Sequence, residues 1–328
     1  MGIVNLTPDS FYAGSRTGAD LALPRILAMF QEGADVVDLG ACSTRPGSPQ
    51  PSLEEEWTRL EPVLKSLVRE MSRNTPPGAC PPPDTGRGRG PLDTSPFGGR
   101  KDDKLAWRLT DEKRTQETMG GAGVKRSETE SPGGVFPGIS IDTYRSEIVK
   151  RAYDTIGPFL VNDISAGQMD AKMLETVGRL GLPYVAMHMR GTPETMQSLT
   201  DYDDVVKAVI DYFREFAHRA ADAGIREWLL DPGFGFSKTL EQNYELLERL
   251  DEVVKAFPQE VLIGVSRKSM IYKKLGITPD EAMPATQVVQ FAALEKGATW
   301  LRVHDVAAAV NTARLYSTMY TSSPGAAK

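Results

Sequence analysis

The stretch Ala221-Asp222-Ala223-Gly224-Ile225-Arg226-Glu227-Trp228-Leu229-Leu230-Asp231 reads as a helix end, a glycine, a short apolar strand and a terminal carboxylate. A glycine there supplies the left-handed residue that lets a helix stop and the chain turn back. The same order recurs along the chain. Gln31-Glu32-Gly33 leads into a strand at 34–39, Arg179-Leu180-Gly181 into one at 183–187, and Glu295-Lys296-Gly297 into one at 299–303. Apolar strands without polar alternation are buried on both faces, as in parallel sheets.

Working outward, eight such strands are expected, near 2–5, 35–40, 139–142, 158–162, 183–187, 227–231, 261–265 and 299–303. Helical patterns lie between them, among them 53–71 and a long amphipathic run at 203–222. Ser52-Leu53-Glu54-Glu55 and Thr239-Leu240-Glu241-Gln242 have the form of capping boxes. Thr278-Pro279-Asp280-Glu281 joins a cap, a first-turn proline and a glutamate at the third helical position. Eight βα units in about 250 residues is the size of a (β/α)8 TIM barrel, whereas a doubly wound open sheet rarely needs eight such even units.

Residues 72–138 do not fit this rhythm. They hold nine of the 23 prolines and twelve of the 30 glycines, and only 13 of the 67 residues are hydrophobic. Such a stretch buries too little apolar surface to offset its ordering entropy, so it reads as a disordered insertion in a single domain spanning 1–328. Its place, between the second helix and the third strand, is the bottom of a barrel, away from the catalytic face. It is therefore expected to be a dispensable surface loop.

The whole chain carries 38 Lys+Arg and 44 Asp+Glu, a formal net charge of −6, with 40% hydrophobic and 25% charged residues. This is globular composition and excludes collagen, coiled coil and wholly disordered chains. The acidic balance argues against a general nucleic-acid binder. No apolar run approaches the ~18 residues of a membrane span. The two cysteines, Cys42 and Cys80, fit a reducing compartment, and the cytoplasm is the expected location. Met1-Gly2-Ile3-Val4-Asn5 already reads as a buried strand, so no leader peptide is expected. Three dispersed histidines make a closed zinc cluster a poor reading.

Chemistry in a barrel sits at the C-terminal ends of its strands. Those ends read Asn5, Asp38, Asp142, Asn162, Met187-His188, Asp231, Ser266-Arg267-Lys268 and Arg302-Val303-His304. One polar strand end is ordinarily a cap or a satisfied core group, but eight of eight converge on one mouth. Asp142, Asn162 and Asp231 suit the donor edge of a heterocycle, because a carboxylate accepts two hydrogen bonds side by side. Lys268, Arg302 and His304 follow strands seven and eight, where barrels often hold phosphate. Asn5 offers an oxygen to a Mg²⁺ held mainly by phosphate. The loops Thr7–Gly14 and Ser43–Gly47 are polar and turn-rich and read as lids.

Other features read as structural. Gly233–Thr239 lacks P-loop spacing. His218 is expected on a helix surface, Trp57, Trp228 and Trp300 in packing, and Cys42 has no evident base partner.

At these residues the chain resembles dihydropteroate synthases. The matching stretches are Met1–Phe11, Ser43–Gly47, Ser140–Tyr144, Asn162–Ser165, Met187–Pro193, Asp231–Phe236, Gly264–Ser269 and Arg302–Asp305. They occur in order and cover nearly everything outside 72–138. The resemblance implies a homodimeric TIM barrel. It implies condensation of 6-hydroxymethyl-7,8-dihydropterin diphosphate with 4-aminobenzoate to give 7,8-dihydropteroate and diphosphate. It further implies that the pterin lies on Asp142, Asn162, Asp231, Lys268 and Arg302. The diphosphate would be held by Arg45, Arg302 and His304 and, through Mg²⁺, by Asn5. The aminobenzoate would lie near Phe11, Thr44, Pro46, Phe236 and Ser269. Asp142, Lys268, Arg302 and His304 would carry the chemistry.

Two other functions stay open at this stage. A pterin-binding methyltransferase shares the barrel and the carboxylates but needs neither the Ser43–Gly47 loop nor the Arg302/His304 pair. A degenerate, non-catalytic barrel would not need polar residues at all eight strand ends.

Overall fold

The computed structural model describes residues 1–7, 19–42, 50–74 and 138–321. All eight expected strands form: β1 (Gly2–Asn5), β2 (Val37–Gly40), β3 (Ile139–Asp142), β4 (Leu160–Asp163), β5 (Tyr184–Met187), β6 (Trp228–Asp231), β7 (Leu262–Ile263) and β8 (Trp300–Leu301). Helices α1 (Ala19–Gln31), α2 (Leu53–Asn74), α3 (Ser146–Ile156), α4 (Met173–Leu180) and α5 (Val205–Asp222) follow the first five strands. A pair, α6 (Leu240–Glu248) and α7 (Leu250–Ala256), follows β6. Another pair, α8 (Ser269–Leu275) and α9 (Met283–Glu295), follows β7, and α10 (Val306–Thr321) follows β8.

Every strand pair is parallel. β1 to β6 form one sheet in sequence order and β7 pairs with β8. Two single bridges close the ring, Leu230 to Val261 and Gly2 to Val303. At the second, Ile3 N–H donates to Val303 O and Val303 N–H to Met1 O, each at 2.9 Å. The sheet therefore has no open edge, and the barrel reading holds over the doubly wound one.

Alternation along each strand sorts the side chains. Val4, Leu39, Ile141, Val161, Ala186, Leu230 and Ile263 join the layer between strands and helices. Met1, Leu160, Val185, Leu229 and Leu262 pack together in a second cluster, with Trp300 against them. The same inward parity, carried to the strand ends, reaches Asn5, Asp142, Asn162, Asp231 and Arg302. A dry floor thus underlies a polar mouth.

The helix-ending glycines adopt the conformation expected, with φ of 64° at Gly181 and 78° at Gly224. The boxes at Ser52/Glu55 and Thr239/Gln242 form reciprocally. α5 begins at Val205, capped by the Asp204 carboxylate, which accepts from Lys207 N–H. The third start signal is displaced. Thr278 and Glu281 exchange their bonds, at 2.9 and 3.4 Å, but around a turn, and α9 starts only at Met283. The cause is Pro284, which has no N–H for the Asp280 carbonyl four residues earlier. Arg267 Nη1 takes that carbonyl instead, at 2.7 Å, together with Pro279 O at 2.8 Å.

The expected insertion boundary shifts slightly, because α2 continues through 72–74 before the first proline at 76. The remainder of the insertion and nearly all of both expected lid loops lie outside the described residues. Among the described residues, no helix is long and apolar enough to cross a membrane.

Candidate active site

Parallel register sets the mouth. Asn5 aligns with Gly40, Gly40 with Asp142, Asp142 with Asn162, and Met187 with Asp231. A Cβ on Gly40 would stand 3.4 Å from Asn5 Oδ1 and 3.6 Å from Asp142 Oδ2. Glycine there lets an amide oxygen and a carboxylate flank one spot.

Arg302 enters from the end of β8 and bridges two carboxylates. Its Nε donates to Asp38 Oδ2 at 2.7 Å and its Nη2 to Asp142 Oδ2 at 2.8 Å. Asn162 Nδ2 donates to the same Asp38 oxygen at 2.9 Å, so its Oδ1 faces other partners. Asp38 has no exposed surface. It acts on a ligand only by orienting Asn162 and Arg302, and the strand-end pattern did not distinguish that role from direct contact. Burial raises the Asp142 pKa to about 7, against the pull of Arg302 and with the push of Asp38. Burial opposes the Arg302 charge, but Asp38 and Asp142 outweigh it and hold the guanidinium protonated.

The second half of the mouth is built by β6 and β7. Asp231 is buried, and its Oδ1 accepts from Gly233 N–H at 2.8 Å. A Cβ on Gly264 would lie 3.7 Å from Lys268 Nζ and 3.8 Å from Asp231 Oδ2, so these two charges meet over a bare glycine. Lys268 Nζ donates to Phe234 O at 2.6 Å and sits 4.7 Å from the Phe236 ring centroid. Burial lowers its pKa to about 8, with Asp231 opposing the fall. Ser269 opens α8 beside it.

His304 departs from a simple basic anion site. Burial, then the Arg302 charge, lowers its pKa to about 3, so the ring is neutral in neutral solution. Ser266 Oγ accepts from His304 N–H at 3.2 Å and lies 3.0 Å from Nδ1. A neutral imidazole offers a ligand a hydrogen bond without a charge.

Of the residues expected at the site, the structure brings together Asn5, Asp142, Asn162, Asp231, Phe236, Lys268, Ser269, Arg302 and His304. Phe11, Thr44, Arg45 and Pro46 lie outside the described residues. Sequence reasoning passed over Lys238 inside the P-loop look-alike. Lys238 is buried with Nζ 2.9 Å from His188 Nδ1. A lysine seven residues after a strand-end aspartate, closing the turn Pro232-Gly233-Phe234-Gly235-Phe236-Ser237, was the available signal. The structural readings hold elsewhere. His218 is exposed. The Cys42 thiol donates to Gln50 Oε1 at 3.1 Å and is pushed up to about 11 by burial and then by Glu56, which makes it inert as a nucleophile. Among the described residues, no group of three or more His, Cys, Asp or Glu could hold a metal ion.

The family profile of pterin binding enzymes matches residues 1–75 and 132–304. The dihydropteroate synthase of Escherichia coli K12 is 32% identical over 318 residues, which cover 96% of this chain and 89% of the relative. The chain belongs to the dihydropteroate synthase family of pterin-binding enzymes. The Synechocystis dihydropteroate synthase is likewise 32% identical, over 94% of this chain and 85% of the relative. Among solved structures, the Yersinia pestis dihydropteroate synthase with a sulfonamide drug complex superposes with a TM-score of 0.72 at 28% identity, covering 98% of this chain and 93% of that one. The Thermus thermophilus enzyme in complex with 4-aminobenzoate gives 0.68 at 32% identity, with the same coverage. As a member of this family the chain is a transferase of folate synthesis.

Proposed function

We propose that this mouth condenses 6-hydroxymethyl-7,8-dihydropterin diphosphate with 4-aminobenzoate, releasing diphosphate. The observation that carries the reading is the polarity of the mouth. Buried carboxylates and Asn162 stand in one mouth with the cations that partner them, Arg302 bonded to Asp142 and Lys268 beside Asp231, and with the neutral His304. Asp231 and the Asn162 carbonyl accept from the ring edge. Breaking the C–O bond places positive charge on the pterin methylene and negative charge on the leaving group. In this reading Asp142 and Asp231 stabilise the first, while Arg302 and His304 stabilise the second. The reading is a dissociative transfer, which needs no covalent enzyme intermediate.

Mg²⁺ fits as a companion of the substrate. Asn5 offers one amide oxygen beside Asp142, and the described mouth has no carboxylate cage, so phosphate oxygens would supply most of its shell. When bound, the ion would neutralise charge on the departing diphosphate. The roles of Phe236 and Ser269 at the aminobenzoate end belong to the same reading, as do those of Phe11, Thr44, Arg45 and Pro46. The test is release of diphosphate, expected only with both substrates present. Chelation should slow it and weaken diphosphate binding while leaving a phosphate-free pterin bound. Diphosphate release that 4-aminobenzoate does not stimulate, or that yields no joined product, would overturn the reading.

The protein also acts as a homodimer in this proposal. Val288 of α9 and Leu315, Met319 and Tyr320 of α10 are exposed, an apolar face on two packed helices. Sedimentation should give twice the chain mass, and Val288→Glu with Leu315→Glu should halve it. A cytoplasmic location is supported by Cys42 being an unbridged thiol.

A further inference from the structure

Lys238 presents three donors from one nitrogen, and three acceptors surround it. They are Gly233 O at 3.0 Å, Phe236 O at 3.2 Å and His188 Nδ1 at 2.9 Å. The two carbonyls belong to the turn after β6. That turn leaves Asp231, grips Lys268 through Phe234 O and ends at the Phe236 ring. His188 is the first residue past β5. Burial, then the charges of Lys238 and Arg190, hold its pKa well below the usual histidine range, so its ring is neutral and Nδ1 can accept.

The turn is pressed against β5 without a side chain between them. Gly233 has φ of 72°, and a Cβ there would come within 2.0 Å of His188 O. Ser237, at φ 45°, adds a second tie, its Oγ accepting from Arg190 N–H at 3.1 Å and lying 3.2 Å from Tyr202 Oη.

We propose that Lys238 is a positioning residue for pterin binding, which sets Asp231, the Phe234 carbonyl and the Phe236 ring in the mouth by tying their turn to His188. The inference rests on the pterin reading given above. An ammonium suits the place because its donors diverge tetrahedrally, whereas a guanidinium fork is planar and an apolar side chain would leave two buried carbonyls unpaired.

The charged groups facing Lys238 are Asp231 from β6, Lys268 beyond β7 and Arg190 beyond β5, with the Tyr202 and Tyr212 rings against His188. Burial lowers the Lys238 pKa to about 7, with Asp231 resisting and Lys268 and Arg190 assisting. When the proton leaves, the amine keeps two donors for the carbonyls and accepts from the other His188 tautomer. The tie survives, but the positive charge beside Asp231 is lost. Pterin affinity should therefore fall as pH rises through about 7.

The test is titration of the full chain with a phosphate-free pterin and, separately, with inorganic diphosphate. Lys238→Met should weaken the bare pterin by about 10- to 100-fold. It should raise the KM for pterin diphosphate more than it lowers kcat, leave inorganic diphosphate binding unchanged and remove the Lys238 part of the pH bend, with the Asp142 titration near 7 remaining. His188→Leu, which removes the acceptor, should reproduce the loss, and His188→Asn, which keeps an acceptor near the Nδ1 position, should restore most of it. If Lys238→Met does not fold, the His188 pair decides. Wild-type pterin affinity in a folded Lys238→Met, or equal affinity in the two His188 variants, overturns the proposal. Asp231→Ala is the control. If it too keeps the bare pterin, the pterin reading of the mouth has failed instead.

Discussion

Arg302→Met should cost about 3–5 kcal/mol of stability and abolish turnover. The guanidinium is the shared partner of Asp38 and Asp142, and Asp38 has no exposed surface. Removing it leaves two carboxylates facing each other in a buried site, where an unpaired charge is far more costly than in water. Arg302→Lys should recover only part of the loss, because an ammonium cannot present the two oriented N–H groups that bridge two carboxylates. The loss should also depend on pH. Asp142 has its pKa raised to about 7 from an ordinary value of 3.8. The folded state then holds a proton that the unfolded chain has released. Stability from that proton is complete below the unfolded value and is lost as pH rises through the folded one. Without Arg302, which lowers the Asp142 pKa, that carboxyl is still harder to ionise, so denaturation at about pH 8 should show a larger deficit than at about pH 5. Asp142→Asn should flatten the pH dependence of stability between those values while removing activity, since a neutral amide does not stabilise a developing cation. An Arg302→Met deficit equal at both pH values would contradict the shared-partner account.

The barrel was legible because its signals are local. A glycine after several of the helices, a capping residue at the start of others and an apolar run between can be read within about a dozen residues. The helix start after Thr278 misled for the same reason. Its cap signals are sound, but a carbonyl left without a partner by Pro284 is taken by Arg267, a tertiary contact no local window contains. That the strand-end residues share one mouth was legible, since parallel register and alternation send them there. Pairing inside the mouth was not. Asp38 meets Arg302 across 264 residues of sequence, and only the closed ring makes them neighbours. The neutrality of His304 likewise follows from burial beside Arg302 and could not be read from residue type. Lys238 was hidden by its surroundings, since a lysine after a glycine-rich turn is ordinarily solvated.

The second large effect separates the two ends of the mouth. Asp231→Ala should weaken a phosphate-free pterin and the pterin diphosphate alike, by about 2–4 kcal/mol, roughly 30- to 1,000-fold. The carboxylate is buried and already accepts from Gly233 N–H, so its other oxygen is the one a ring donor can reach beside Lys268. Alanine removes that acceptor and leaves the ring donors and the Lys268 ammonium without it. His304→Ala should act differently. The ring is neutral, so its loss removes one uncharged hydrogen-bonding group from the anion end. Diphosphate affinity should fall by about 1–2 kcal/mol, roughly tenfold, because a neutral hydrogen bond is worth less than a charged one. The benefit of Mg²⁺ should shrink with it, while a pterin without phosphate should bind as before. Because the imidazole is already neutral, the His304→Ala deficit should be constant from about pH 6 to about pH 8, where a protonated histidine would show a titration. Calorimetric titration of both variants with the bare pterin and then with diphosphate reads each end in turn. If His304→Ala lost the bare pterin and kept diphosphate, the substrate would lie in the opposite orientation along the mouth.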